Sequence, residues 1–152
     1  MTKSSLQELF GNLRILLTMT RRLVEQFPED KMNFRPVPEV RDVSEIVVHI
    51  YQMLEESVAT VKAGKVIEVT PPVLTSKSEL LAWMDQQAAK FWTGFENIND
   101  AQLGAQLYAF GEHFFGWQFL VFTYNEVYHH RGQLTVYLRL CGIEPVGFYS
   151  ET

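Results

Sequence analysis

A single cysteine, Cys141, stands among the 152 residues, so no disulfide can close within the chain. That excludes a disulfide-stapled secreted fold and any Cys-rich zinc site, and it suits a reducing compartment. Clustered positive charge is missing too. Lys and Arg number 13 against 18 Asp and Glu, a net charge of −5, and the closest basic grouping is Arg21-Arg22. Nucleic acid is bound through concentrated positive charge, so no nucleic-acid partner is expected. No apolar run approaches the ~20 residues of a membrane span, and no membrane partner is expected. The opening Met1-Thr2-Lys3-Ser4-Ser5 shows no apolar stretch leading to a small-residue cleavage site, and the expectation is a cytoplasmic protein. With 47% hydrophobic and 20% charged residues the chain has enough apolar surface to bury, which excludes disorder. Its length suits one domain, residues 1–152, burying roughly 70% of the surface it would expose unfolded.

Apolar residues recur at helical spacing in four segments. In the first they are Leu6, Leu9, Phe10, Leu13, Leu16, Leu17, Leu23, Val24 and Phe27, with Ser4 and Gln7 as a capping box and Pro28 as the stop. Met32 to Pro38 has prolines at alternate positions and reads as an extended connector. Asp42 then stands three residues before Glu45 and starts a second helix that Gly64 ends. A second connector, Lys65 to Leu74, holds Val66-Ile67-Glu68-Val69, the one candidate short strand, too little for a sheet. Ser76 with Glu79 opens a third helix. Asp100 to Gly116 reads as loop, and a long last helix closes at Gly142 and Pro145. The expected fold is all-α: a four-helix bundle with long connectors and helices over residues 4–27, 43–63, 76–97 and 115–141.

The chemistry concentrates in Glu126-Val127-Tyr128-His129-His130-Arg131-Gly132-Gln133-Leu134. Glu126 and His130 are i and i+4 and project from one helical face. That face also carries Phe119, Phe122, Thr123, Leu134, Tyr137 and Cys141, so it is expected to look into the bundle. A carboxylate and an imidazole placed there need a partner, because burying them alone costs several kcal/mol. A divalent metal is one partner; a bond between the two is the other. His49, beside the apolar stripe of the second helix, completes a His, Glu, His set if the two helices are neighbours. Three N/O ligands with an open fourth position are the build of a catalytic zinc-type site, and nickel, iron or manganese accept the same donors. Glu126 with His129 is also the Glu-x-x-His of di-iron bundles, but that site needs the motif twice, and it occurs once. Arg131 and Gln133 are expected to point away from the triad face, toward connectors or a partner. His129 reads as structural or as support for the metal ligands, Cys141 as packing, and Trp83, Trp92, Trp117 and Tyr137 mostly as core. Gly132 in mid-helix, which costs about 1 kcal/mol relative to Ala, suggests a close approach by a neighbour.

His129-His130-Arg131-Gly132-Gln133-Leu134, then Val136-Tyr137-Leu138-Arg139 and Gly142-Ile143-Glu144-Pro145, resembles the terminal motif of the DinB/YfiT-like superfamily. Phe34-Arg35-Pro36-Val37-Pro38-Glu39-Val40-Arg41, leading to Glu45 and His49, resembles that family's entry to its second helix. The resemblance implies a four-helix bundle, a homodimer, and a divalent metal, zinc or nickel first, held at His49, position 126 and His130. The family pattern has a second His at position 126, where this chain has Glu126. Glu is a competent zinc-type ligand, and its charge makes the ion a weaker Lewis acid. The implied activity is a metal-dependent one, a thiol-dependent transferase or a hydrolase. A low-molecular-weight thiol or water would attack a small electrophilic substrate. No general base is identified from the sequence, although Glu45 and Tyr128 are within reach of helix-face neighbours. The alternative is a non-catalytic stress-response or structural dimeric bundle with a vestigial metal site.

Overall fold

The computed structural model describes residues 1–147. Four long helices form the bundle: α1 (Lys3–Gln26), α2 (Val43–Ala63), α3 (Lys77–Glu96) and α5 (Gly116–Leu140). A short helix α4 (Asp100–Gly104) and a hairpin of β1 (Gln106–Ala109) and β2 (Glu112–Phe115) join α3 to α5. A single 3-10 turn, Glu29–Lys31, follows α1. The core is one cluster of apolar side chains from all four long helices, including Leu6, Phe10, Leu13, Leu54, Met84, Phe91, Leu134 and Leu138. Each long helix thus buries the apolar stripe its sequence carries.

Local chemistry explains the ends. The Asp42 carboxylate accepts the Glu45 N–H at 2.9 Å while Glu45 accepts the Asp42 N–H at 2.9 Å. The Arg35 guanidinium joins the same corner, 2.9 Å from Asp42 and 3.2 Å from Glu45. This box pins the first turn of α2, seven residues before His49. Replacing Asp42 with alanine is expected to cost about 1–2 kcal/mol, read as a lower urea midpoint, because the cap is the buried member of the pair. Gly64 ends α2 with a left-handed φ of 69°. At the far end of α1 the Lys77 ammonium donates to the carbonyls of Glu25 and Phe27 at 2.6 Å each, tying the start of α3 to the end of α1.

α2 and α5 run antiparallel. The Tyr137 hydroxyl donates to the Arg41 carbonyl at 3.0 Å at one end, and Gly116 lies against Val61 at the other. Gly116 allows close approach by both α2 and α4: a Cβ there would meet the Val61 side chain at 3.1 Å and the Gln102 carbonyl oxygen at 2.5 Å.

Several local expectations need correction. The first cap is Thr2, accepting from the Ser5 N–H, not Ser4. Val66 to Val69 forms no strand. Two of its backbone N–H groups bond to α2 side chains instead, Ile67 to the Thr60 hydroxyl and Val69 to the Glu56 carboxylate, both at 2.9 Å. Residues 100–116 are not loop. Asn99 and Gln102 form a capping box for α4. In β1 burial alternates, with Leu107 and Ala109 inside and Tyr108 outside. The hairpin turns on Phe110 and Gly111, both at positive φ, 55° and 82°, the handedness a two-residue hairpin needs. Nothing lies within 4 Å of a Cβ built on Gly132, so the expected close approach is absent and the structure does not explain that glycine. Among the described residues no helix is long and apolar enough to cross a membrane.

Candidate metal centre

The antiparallel pairing of α2 and α5 sets His49 opposite His130. Their ring centroids are 4.7 Å apart at an interplanar angle of 85°. Glu126, one turn before His130 on α5, brings a carboxylate oxygen to 3.4 Å from His130 Nε2. One donor atom from each of His49, Glu126 and His130 lies within 4.8 Å of the others, the one such trio among the described residues. The three residues expected to share an ion therefore converge.

The hydrogen bonds around His130 decide what its ring presents. His130 Nδ1 is 2.8 Å from Gln133 Oε1. An amide oxygen only accepts, so Nδ1 carries the proton. Gln133 Nε2 faces His129 Nε2 at 3.4 Å, which fits the same orientation of the amide. In the neutral ring the lone pair is then on Nε2, and that atom is buried without a hydrogen-bond partner. It faces a carboxylate oxygen 3.4 Å away, so two acceptors confront each other in a half-buried place. Either a proton on Nε2 or a metal cation between the two makes that approach attractive. The His49 ring is pushed down to a pKa of about 4, first by burial and then by the charge of Arg41 and by His130, so it is neutral and offers a lone pair near pH 7. Two imidazoles and a carboxylate are a zinc-type donor set, and the residues fit a divalent ion.

The face argument holds only in part. Phe119, Thr123, Leu134 and Tyr137 are buried, but Phe122 is 39% exposed and Cys141 half-buried. Phe122 packs against Phe110 of the hairpin, its ring centroid 6.1 Å away. Arg131 does not point outward as expected; it is 2% exposed. Gln133, expected to serve the connectors or a partner, serves His130. Its position three residues beyond His130 is a helical neighbour spacing that reveals the pairing once the bond is seen. Glu45 is committed to capping α2, and the Tyr128 hydroxyl lies 3.5 Å from that of Tyr124, so neither is held toward the triad as a base.

No curated protein matches the chain. Among the solved structures that share its fold are two DinB-like proteins. A DinB-like protein from Bacillus subtilis, YjoA, is 22% identical, with a TM-score of 0.76 over 90% of this chain and 97% of that one. A DinB-like protein from Bacillus cereus ATCC 10987 is 20% identical, with a TM-score of 0.77 over 92% of this chain and 95% of that one. The sequence itself matches the DinB family across residues 2–152. With that match running through both helices that carry the triad, the chain belongs to the DinB family.

Proposed function

We propose that this protein is a metal-dependent enzyme of the thiol-transferase or hydrolase type, built around one divalent ion held by His49, Glu126 and His130. The observation that carries the reading is the buried, unpartnered Nε2 of His130 facing the Glu126 carboxylate, with His49 in the same cluster. A divalent ion there supplies Lewis acidity, lowering the pKa of a thiol or water so that it can attack a small electrophile. The chain's own residues do the rest. Gln133 fixes the His130 tautomer, His49 stays neutral by burial, and Glu126 contributes the one negative charge. Three protein donors leave a fourth position for the reactant. A homodimer working in the cytoplasm, with a low-molecular-weight thiol as co-substrate, belongs to the same reading. Zinc or nickel is the first candidate for the ion.

A second reading has the 3.4 Å Glu126–His130 approach as its support: a plain ion pair in a structural bundle, with His130 protonated. Equilibrium dialysis of the purified chain against zinc and against nickel separates the two. One ion per chain is expected; no uptake of either metal would leave the ion pair as the answer.

Gln133 gives a finer test. Replacing it with alanine frees the His130 ring to rotate and to exchange its proton between nitrogens. Outer partners of this kind typically contribute 10–100-fold in metal affinity, and a loss of about that size is expected for Gln133→Ala by competition with a chromophoric chelator. Gln133→Glu, which keeps the acceptor, is expected to retain the affinity.

A further inference from the structure

A cavity of about 620 Å³ lies between the first half of α2, the two connectors and the start of α3, and His49 forms part of its wall. The volume suits a small organic molecule. Because His49 belongs to both the wall and the triad, a molecule in the cavity lies against one edge of the proposed ion site. Four charged side chains line the space: Glu29, Arg41, Glu45 and Lys77. Three are already committed. Glu29 accepts the Lys77 N–H at 2.9 Å, capping α3. Glu45 accepts from the Asp42 N–H at 2.9 Å and from Arg35 at 3.2 Å. The Lys77 ammonium donates to the Glu25 and Phe27 carbonyls. The Arg41 guanidinium has no hydrogen-bond or ion-pair partner among the described residues, while its backbone is anchored by the Tyr137 hydroxyl at 3.0 Å. The uncommitted charge of the cavity is therefore a single positive one on a fixed stretch of backbone. The starts of α2 and α3, at Ser44 and Lys77, also line the space and add the partial positive charge of helix amino ends.

We propose that this cavity is an anion subsite, in which Arg41 holds the carboxylate of a small organic acid whose other end reaches toward His49. The substrate or co-substrate is then a carboxylate-bearing thiol or electrophile, and this assignment of the molecule to the reaction rests on the metal-centre reading. Arg41 suits the task because a guanidinium binds a carboxylate through two parallel charge-assisted hydrogen bonds.

The test follows the side-chain Nε–Hε resonance of Arg41 by NMR in the full-length, metal-free chain, the signal being assigned by its loss in Arg41→Lys. Benzoate should shift it saturably, and benzamide, which has the same shape without the charge, should bind at least about 10-fold more weakly, the equivalent of ~1.4 kcal/mol. In Arg41→Gln the shifts that benzoate causes at the Ser44 and Val48 amides should disappear while the melting temperature holds. Zinc uptake is measured on the same two proteins, and one ion per chain is expected in both. Arg41-dependent benzoate binding without any zinc uptake keeps the subsite and removes the metal reading. Zinc uptake with equal responses to benzoate and benzamide, or with none, overturns the subsite, and failure of both measurements overturns both.

Discussion

His130→Ala is expected to lower zinc affinity by more than about 100-fold, beyond what loss of an outer hydrogen-bond partner costs, while the far-UV circular dichroism stays that of a helical bundle. The affinity falls because His130 supplies the donor whose tautomer and direction are set before any ion arrives: Nδ1 is held by Gln133 at 2.8 Å, and Nε2 is buried facing Glu126. The fold survives because the neighbours that bury α5, Val127, Leu134 and Leu138, are untouched. Glu126→Gln makes a useful companion. It keeps the shape but removes the charge, so zinc affinity should fall by less than in His130→Ala. If His130→Ala took up zinc as well as the native chain, the centre would have to be abandoned. If the variant instead gained thermal stability, the facing acceptors would be shown to be strained with no ion to relieve them.

The two halves of this centre were legible to different degrees. Glu126 and His130 are bound together by spacing on one helix, and no tertiary knowledge is needed to place them on one face. His49 lies on another helix, 77 residues before Glu126 in the numbering. Its place came through the family resemblance and depends on the antiparallel register that Tyr137 and Gly116 set between α2 and α5. The role of Gln133 is not legible in the sequence because an amide on a helix surface has many partners to choose from, and only the three-dimensional position of the His130 ring selects one. Phe122 looks like core in the sequence because hydrophobicity alone does not tell a buried aromatic from one that covers a neighbour. Here the neighbour is Phe110, at the tip of a hairpin that was itself unforeseen.

That hairpin carries no strong sequence signal, for a physical reason. Two-residue hairpins of this handedness usually announce themselves with Asn-Gly or Asp-Gly, since both central residues need positive φ. Here the pair is Phe110-Gly111, and Phe at φ 55° is an uncommon occupant. The four long helices, by contrast, were readable to within about two residues at each end, because caps such as Asp42, Ser76 and Gly64 are local and act where they stand. What spacing could not show is which apolar residues meet across helices.

Phe10→Ala brings that last point to a measurement. The ring is 1% exposed. Its centroid lies 5.0 Å from Phe95, 5.7 Å from Phe91, 6.2 Å from Tyr124 and 6.5 Å from Trp92, so one side chain of α1 joins α3 and α5 through aromatic contacts. Truncation removes the transfer free energy of the ring and leaves a cavity that four large neighbours cannot readily fill, and a loss of about 3–5 kcal/mol is expected. For a domain of this size each kcal/mol moves the melting temperature by roughly 2–4 °C, so a fall on the order of 10 °C should be seen by calorimetry. Phe10→Leu keeps part of the volume and should recover part of the loss. Ile15→Ala, at a position 55% exposed on the same helix, serves as the control and should stay within about 0.5 kcal/mol of the native chain. Equal losses at Phe10 and Ile15 would mean that the aromatic cluster is not the junction that holds α1 to the bundle.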